Sequence, residues 1–238
     1  MNHAQLMRAA GVAVLALWMT SPAPAAVVNL NPVRDATLVE SATGSLANGA
    51  GSGIFAGRTN ELPGVSIRRA LIAFDVSGIN PAATINSVSL ALFCSNAQGG
   101  ARTVELHKVT ADWSEGPTPG QGTGGGQGGT AQTGDVTWLH RTFNSVLWAT
   151  PGGDFSTTAS ASQTVNMSGS TYTWTSAQMV ADVQDWINNP GNNFGWILIG
   201  DESAAGTAKR FDSREGATVP VLAIDLTPPS AVDDWVMY

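Results

Sequence analysis

Short runs of β-forming residues recur along the chain, and turn-forming residues bound most of them. Six runs fit strands, and they cover residues 36–40, 67–76, 84–94, 102–109, 195–201 and 219–226. Within the third run, Val88, Leu90 and Leu92 alternate with Ser89 and Ala91, as expected for a strand with one buried face. The pattern predicts an all-β fold, a jelly-roll-like sandwich of two antiparallel sheets.

One segment, "TSAQMVADVQDWINNPG", has the period of a helix instead. Thr175 stands three residues before Gln178, which is a capping-box pattern, and Pro190-Gly191 ends the segment. Between these signals lies one apolar stripe, formed by Met179, Val180, Val183, Trp186 and Ile187. We therefore predict one short helix over about residues 176–188, docked against the sandwich with Trp186 in the core.

The first 25 residues have the pattern of a secretory signal peptide. Arg8 supplies the positive start, residues 9–20 are apolar, and Ala23-Pro24-Ala25 is a small-residue cleavage site. The apolar stretch is too short to span a bilayer. We therefore expect a secreted protein with one domain over 26–227, a tail over 228–238 and no membrane span in the mature form.

Charge and cysteine content narrow the function further. The net charge is −7, and removal of Arg8 with the signal makes it −8. No basic patch is left to neutralise phosphates, which argues against nucleic acid and anionic membranes as partners. Cys94 is the only cysteine, so no intramolecular disulfide forms, and its apolar surroundings predict a buried side chain.

No catalytic constellation stands out in the sequence. The mature chain has two histidines, no G-x-S-x-G serine and no H-E-x-x-H motif. Asp112, Glu115 and Asp154 would suit a glycosidase only at a defined separation across a cleft. We predict a non-enzyme without a cofactor. A structural calcium ion stays open, because acidic loops could coordinate one although no ordered calcium motif is present.

Two stretches are rich in unusual residues. Residues 116–134 hold nine glycines in nineteen positions, which predicts a flexible loop. The next stretch brings together five candidate carbohydrate contacts: Trp138, His140, Arg141, Asn144 and Trp148. Exposed tryptophans stack on sugar faces while polar neighbours bind hydroxyls, but the same rings could instead fill the core of the sandwich.

Charge is concentrated in "KRFDSRE", residues 209–215. If this stretch is extended, Arg210, Asp212 and Arg214 share one face and Phe211 points to the core. Our first interpretation is a brace that reaches neighbouring strands, and the second is binding of a sugar or carboxylate on a concave face. The predicted charge network comprises Arg69, Asp75, Arg210, Asp212, Arg214 and Glu215.

Five ordered blocks between residues 33 and 226 resemble those of DNRLRE-type domains. The blocks are "RRALIAFDVSGINPAATINSVSLALF", "VELHKVTADWSEG", "GDVTW", "DVQDWINNPGNNFGWILIG" and "KRFDSREGATVPVLAIDL". The glycine-rich stretch is longer than the link expected between the second and third blocks. The resemblance implies a secreted β-sandwich similar to carbohydrate-binding modules of family 96, some of which bind alginate-like polysaccharides.

The sequence therefore favours non-catalytic binding of an extracellular polysaccharide. A structural or adhesive protein of the cell surface or matrix is the alternative. A polysaccharide lyase or hydrolase is the third possibility, and it lacks an acid–base pair in the sequence.

Overall fold

A computed structural model of the chain describes residues 24–229. The predicted signal peptide, except for its last two residues, lies outside the described residues, as does the tail from residue 230 onward. No helix within residues 24–229 combines the length and the apolar character needed to cross a membrane.

The described chain forms fifteen strands and one α-helix. The strands are β1 (Ala26–Leu30), β2 (Pro32–Val39), β3 (Leu46–Asn48), β4 (Gly53–Arg58), β5 (Ile67–Phe74), β6 (Thr84–Ala97), β7 (Arg102–Val109), β8 (Gly129–Thr130), β9 (His140–Thr142), β10 (Val146–Leu147), β11 (Phe155–Val165), β12 (Ser170–Thr175), β13 (Trp196–Ile199), β14 (Lys209–Asp212) and β15 (Val221–Thr227). The helix, α1, spans Ala177–Asn188. Two single-turn 3₁₀ helices cover Thr123–Gly125 and Pro190–Asn192.

Thirteen of the fifteen strands form one continuous antiparallel sheet, whose two halves, sheet I and sheet II, are connected through β4, while β9 and β10 pair only with each other. In sheet I, β6 pairs with β12, β14 and β15, while β1 pairs with β15 and β4 with β14. In sheet II, β5 lies between β2 and β13, and β13 continues to β7 and β11. Residues 53–56 of β4 pair with β14 and residues 57–58 pair with β5. The prediction of an all-β antiparallel sandwich with one docked helix is confirmed.

Sheet II buries both of its faces, as β5 illustrates. Ile72 and Phe74 point into the main core between the sheets and α1. Leu71 and Ala73 point to the opposite face, where they join a second apolar cluster with Trp113 and other residues of the segment 110–154. That long segment therefore covers the outer face of sheet II, and apolar side chains on both faces of a strand are the expected result.

The helix begins one residue later than its capping box suggested. Ser176 is the N-cap, and its Oγ accepts a hydrogen bond of 3.0 Å from the backbone N–H of Met179. Thr175 belongs to β12, and its hydroxyl donates to the backbone oxygen of Val88 at 2.8 Å. The predicted Thr175 cap was therefore wrong, because Thr175 is the last residue of β12 and its hydroxyl is hydrogen-bonded to β6 instead.

Candidate functional site

The segment with the five predicted carbohydrate contacts forms an exposed hairpin, β9 and β10, with its turn at Asn144 (φ 60°). Arg141 donates to the backbone oxygens of Asp112 and Leu147 at 3.0 and 3.3 Å. The Nδ1 atom of His140 lies 3.1 Å from the Thr137 hydroxyl. Arg141 and His140 thus hold the hairpin to itself and to the preceding loop.

The two tryptophans of this segment do not form an exposed stacking surface. Trp148 is only 4% exposed, and its Nε1 donates to the backbone oxygen of Thr137 at 3.0 Å. Trp138 is half-buried, with the guanidinium carbon of Arg69 lying 4.9 Å from its ring centroid. The other tryptophans of residues 24–229 are all buried, namely Trp113, Trp174, Trp186 and Trp196. Core packing is therefore the role the structure gives to Trp148, because its ring covers the outer face of sheet II.

The charged residues of segment 209–215 form ion pairs in two places, on β14 and in the turn that follows it. Arg210 lies 3.1 Å from the Asp212 carboxylate on the outer face of sheet I, while Phe211 is fully buried. Arg214 comes after the strand ends, and its guanidinium contacts Glu115 at 2.8 Å and Glu215 at 2.9 Å.

The remaining two members of the predicted network lie elsewhere. Arg69 points to the outer side of sheet II, where its guanidinium donates to both carboxylate oxygens of Glu202 at 2.8 and 3.0 Å. Asp75 lies just past the end of β5, and its carboxylate accepts the backbone N–H of Ser77 at 2.9 Å. The structure therefore does not bring Arg69 and Asp75 together with the cluster at residues 210–215.

Asp35 is a buried member of the cluster that the sequence did not reveal. It is 1% exposed, and its carboxylate accepts the backbone N–H of Arg214 at 2.7 Å. Its own backbone N–H donates to Glu115 at 2.7 Å. The pKa of Asp35 is raised to about 7, mainly because the carboxyl is buried and to a smaller extent because of the charges of Glu215 and Glu115, while the hydrogen bond from the Arg214 N–H opposes the shift.

Each of the three carboxylates considered for glycoside hydrolysis has a structural partner. Asp112 pairs with Arg34 at 2.8 Å, and Glu115 pairs with Arg214. Asp154 accepts backbone N–H groups from residues 149 and 150, both at 2.8 Å. Within residues 24–229, no group of three histidine, cysteine or acidic residues is placed to hold a metal ion.

A cleft of about 330 Å³ opens on the outer face of sheet I, between that sheet and the glycine-rich stretch. Its polar lining is dominated by four exposed amide side chains, Asn60, Asn96, Gln98 and Gln127. The side-chain amide groups of these four residues form no hydrogen bond with any other described residue. We call this feature, with its four amides, the amide cleft.

Two arginines fix the glycine-rich wall of the amide cleft. Arg68 is fully buried, and its Nε donates to the backbone oxygen of Gly126 at 2.6 Å. Arg210 donates from Nε to the backbone oxygen of Gly124 at 3.1 Å. The stretch predicted as a flexible loop is therefore tethered to both sheets, and β8 within it also pairs with β3.

Close approach explains one glycine of this region. A Cβ on Gly53 would lie 2.5 Å from the guanidinium carbon of Arg210, closer than real Cβ contacts. Glycine at this position therefore lets the arginine lie flat over β4 and reach the loop.

The amide cleft offers both hydrogen-bond donors and acceptors, because every amide carries an NH₂ group and a carbonyl oxygen. The ring of Phe55 lies at its base and is 7% exposed. No sequence motif marks the cleft, since its amides come from three separate segments, and only Asn96 and Gln98 are close in the chain. Arg210 is the one lining residue that the sequence analysis had singled out. Binding of a sugar or carboxylate on a concave face was our second interpretation of its charged stretch.

A second depression, of about 400 Å³, lies between β7 and β13. Its charged residues include Arg102 and Asp201, which pair with each other at 3.2 Å. The remaining polar side chains of its lining are Thr103 and Glu105, which are fewer than the four amides. The amide cleft is therefore the better candidate for a ligand site.

The resemblance to DNRLRE-type domains stays a prediction from ordered sequence blocks. No protein-family model matches the chain, and no curated protein matches it.

Proposed function

We propose that the protein is a secreted, non-catalytic carbohydrate-binding module that binds an extracellular polysaccharide in the amide cleft. The observation that supports this function is the convergence of four amides without protein partners on one cleft. A sugar hydroxyl both donates and accepts, and an amide side chain complements it in both roles. Ligand sites in proteins typically combine a concave shape with a few convergent polar groups.

The rigid walls of the cleft also support binding. The tethers from Arg68 and Arg210 hold the glycine-rich wall in place before a ligand arrives. Less conformational entropy is then lost on binding than if the wall were free. The absence of an exposed tryptophan within residues 24–229 leaves hydrogen bonds as the main source of affinity, so we expect weak binding of a single chain.

A non-catalytic role agrees with the carboxylates. Asp112, Glu115 and Asp154 are engaged in ion pairs or in hydrogen bonds to backbone N–H groups, as described above. A hydrolase needs one carboxylic acid and one carboxylate facing the same glycosidic bond. None of these three lines the amide cleft.

The proposal is tested by a glycan array on the mature protein, followed by calorimetric titration of each glycan that binds. Asn96→Ala and Gln98→Ala should each weaken binding about three- to tenfold, since each removes a hydrogen-bonding group. Asn86→Ala is the control, because Asn86 is an exposed amide of β6 outside the cleft; its side chain, unlike those of the cleft amides, donates to Asp225 and Thr227 at 3.2 and 3.1 Å. Binding that survives both cleft substitutions would place the site elsewhere.

A further inference from the structure

The charges around the amide cleft are already paired within the protein. Arg210 is the one cationic residue among the side chains that line it. Its Nη1 donates to Ser95 and Asp212, and its Nη2 donates to Ser52. With Nε bound to the glycine-rich wall, the guanidinium has no free pair of donors for a ligand carboxylate.

The one acidic residue of the lining is paired in the same way. Glu61 lies 2.5 Å from a guanidinium nitrogen of Arg68, whose side chain is fully buried. Arg68 also donates to the backbone oxygens of Val65 and Ile67 at 2.7 and 2.9 Å. Arg68 therefore stabilises the fold and offers nothing to a bound anion, while Glu61 places carboxylate oxygens at the cleft.

The negative net charge of the protein also disfavours an anionic ligand. The chain carries a net charge of −7, so a polyanion approaching it is repelled at low ionic strength. To form an ion pair with Arg210, a polyuronate would have to displace one of the hydrogen bonds that this guanidinium already makes. A neutral sugar would only exchange water on four amides, whose donors and acceptors are unoccupied by described residues.

We infer that the amide cleft selects a neutral, hydroxyl-rich glycan over a polyuronate. This inference rests on the proposed function, because it assumes that the cleft is the glycan site. It differs from the alginate-like ligand that the sequence resemblance implied. The selectivity comes from a cleft whose cations are internally neutralised and whose free polar groups are uncharged amides.

The experiment titrates the mature protein with a soluble neutral β-glucan and with alginate oligosaccharides, each at low and high salt. We expect the glucan to bind with an affinity that salt does not change, and alginate to bind more weakly or not at all. Gln98→Lys adds an unpaired cation to the cleft. It should weaken glucan binding and create salt-sensitive alginate binding, whereas Asn86→Lys, which adds the same charge to β6 outside the cleft, should do neither.

Failure of the inference and failure of the proposed function give different results. Salt-sensitive alginate binding to the native protein that is lost in Gln98→Ala would overturn the selectivity and keep the cleft as the glycan site. Glycan binding that neither Gln98→Ala nor Gln98→Lys alters would overturn the cleft itself. Circular dichroism and thermal unfolding of each variant show that the changes do not come from misfolding.

Discussion

Arg68 and Arg210 bind backbone oxygens only two residues apart, at Gly126 and Gly124, although they belong to different sheets. Arg68 lies on β5 of sheet II and Arg210 on β14 of sheet I. The glycine-rich stretch therefore connects the two sheets through side chains, and it forms one wall of the amide cleft as a consequence.

The buried tether predicts a large effect of Arg68→Lys. Arg68 donates to three backbone oxygens and to Glu61, and a lysine ammonium cannot reproduce that planar set. We expect the free energy of unfolding to fall by about 2–3 kcal/mol, because buried acceptors lose their partners. Urea unfolding measures the change. Arg141→Lys, in the exposed hairpin, is the control and should lower the free energy of unfolding by less than about 1 kcal/mol. An equal loss in both variants would contradict the proposed stabilising role of Arg68.

The close approach at Gly53 predicts that Gly53→Ala moves the Arg210 guanidinium. The added methyl group would overlap that guanidinium, which would have to shift and would thereby strain its hydrogen bonds, including the one to the backbone oxygen of Gly124. We expect a loss of about 1–3 kcal/mol in unfolding free energy and weaker glycan binding. Gly78→Ala is the matched control, because a Cβ there meets nothing within 4 Å. Unchanged stability in Gly53→Ala would show that the arginine bonds contribute little.

The tryptophans of the hairpin segment should differ in effect. Trp148→Ala removes a buried ring and is expected to destabilise the fold by about 3–5 kcal/mol. Trp138→Ala removes a half-buried ring and should leave glycan affinity unchanged, because Trp138 does not line the amide cleft. If the Trp138→Ala variant folds but no longer binds glycan, the glycan site lies in the hairpin segment and not in the amide cleft.

Hydrophobic periodicity predicted the helix and six strands, which correspond to β2, β5, β6, β7, β13 and β15, but it missed the long Ser- and Thr-rich strand β11 and its neighbour β12. Strands such as β4, "GIFAGR", were missed because glycine and alanine have weak β-propensity, and only pairing on both edges makes this segment a strand. Phe211 was placed correctly in the core by its position between Arg210 and Asp212. Period-two reasoning works where one face of a strand is buried.

The partners of charged residues were not predictable from their spacing. Lys209 is fully buried, and its ammonium donates to the backbone oxygens of Gln98 and Gly100 across the sheet. Glu115 meets Arg214 from a loop that lies 99 positions away in the chain. The amide cleft depends on the same kind of long-range contact, so its residues form no pattern in the sequence.

The raised pKa of Asp35 predicts an unusual dependence of stability on pH. A carboxyl that titrates near 7 when folded and near 3.8 when unfolded binds its proton more tightly in the folded state. Its contribution to stability is therefore complete below about pH 3.8 and is lost as the pH rises to about 7. At 1.36 kcal/mol per pH unit, this loss amounts to at most about 4 kcal/mol.

Other carboxylates act in the opposite direction, so the prediction concerns a difference between two proteins. Hydrogen bonds from Ser77 lower the pKa of Asp75, and a bond from Lys108 lowers that of Asp185, so both carboxylates contribute less to stability as the pH falls.

Asp35→Asn keeps the acceptor for the Arg214 N–H but cannot titrate. Unfolding free energies of both proteins are measured in urea from pH 4 to pH 8. The advantage of Asp35→Asn over the native protein should grow steadily up to about pH 7 and then level off. A constant difference across this range would mean that Asp35 stays ionised beside Glu115 and Glu215, and that the Arg214 N–H outweighs the cost of its burial.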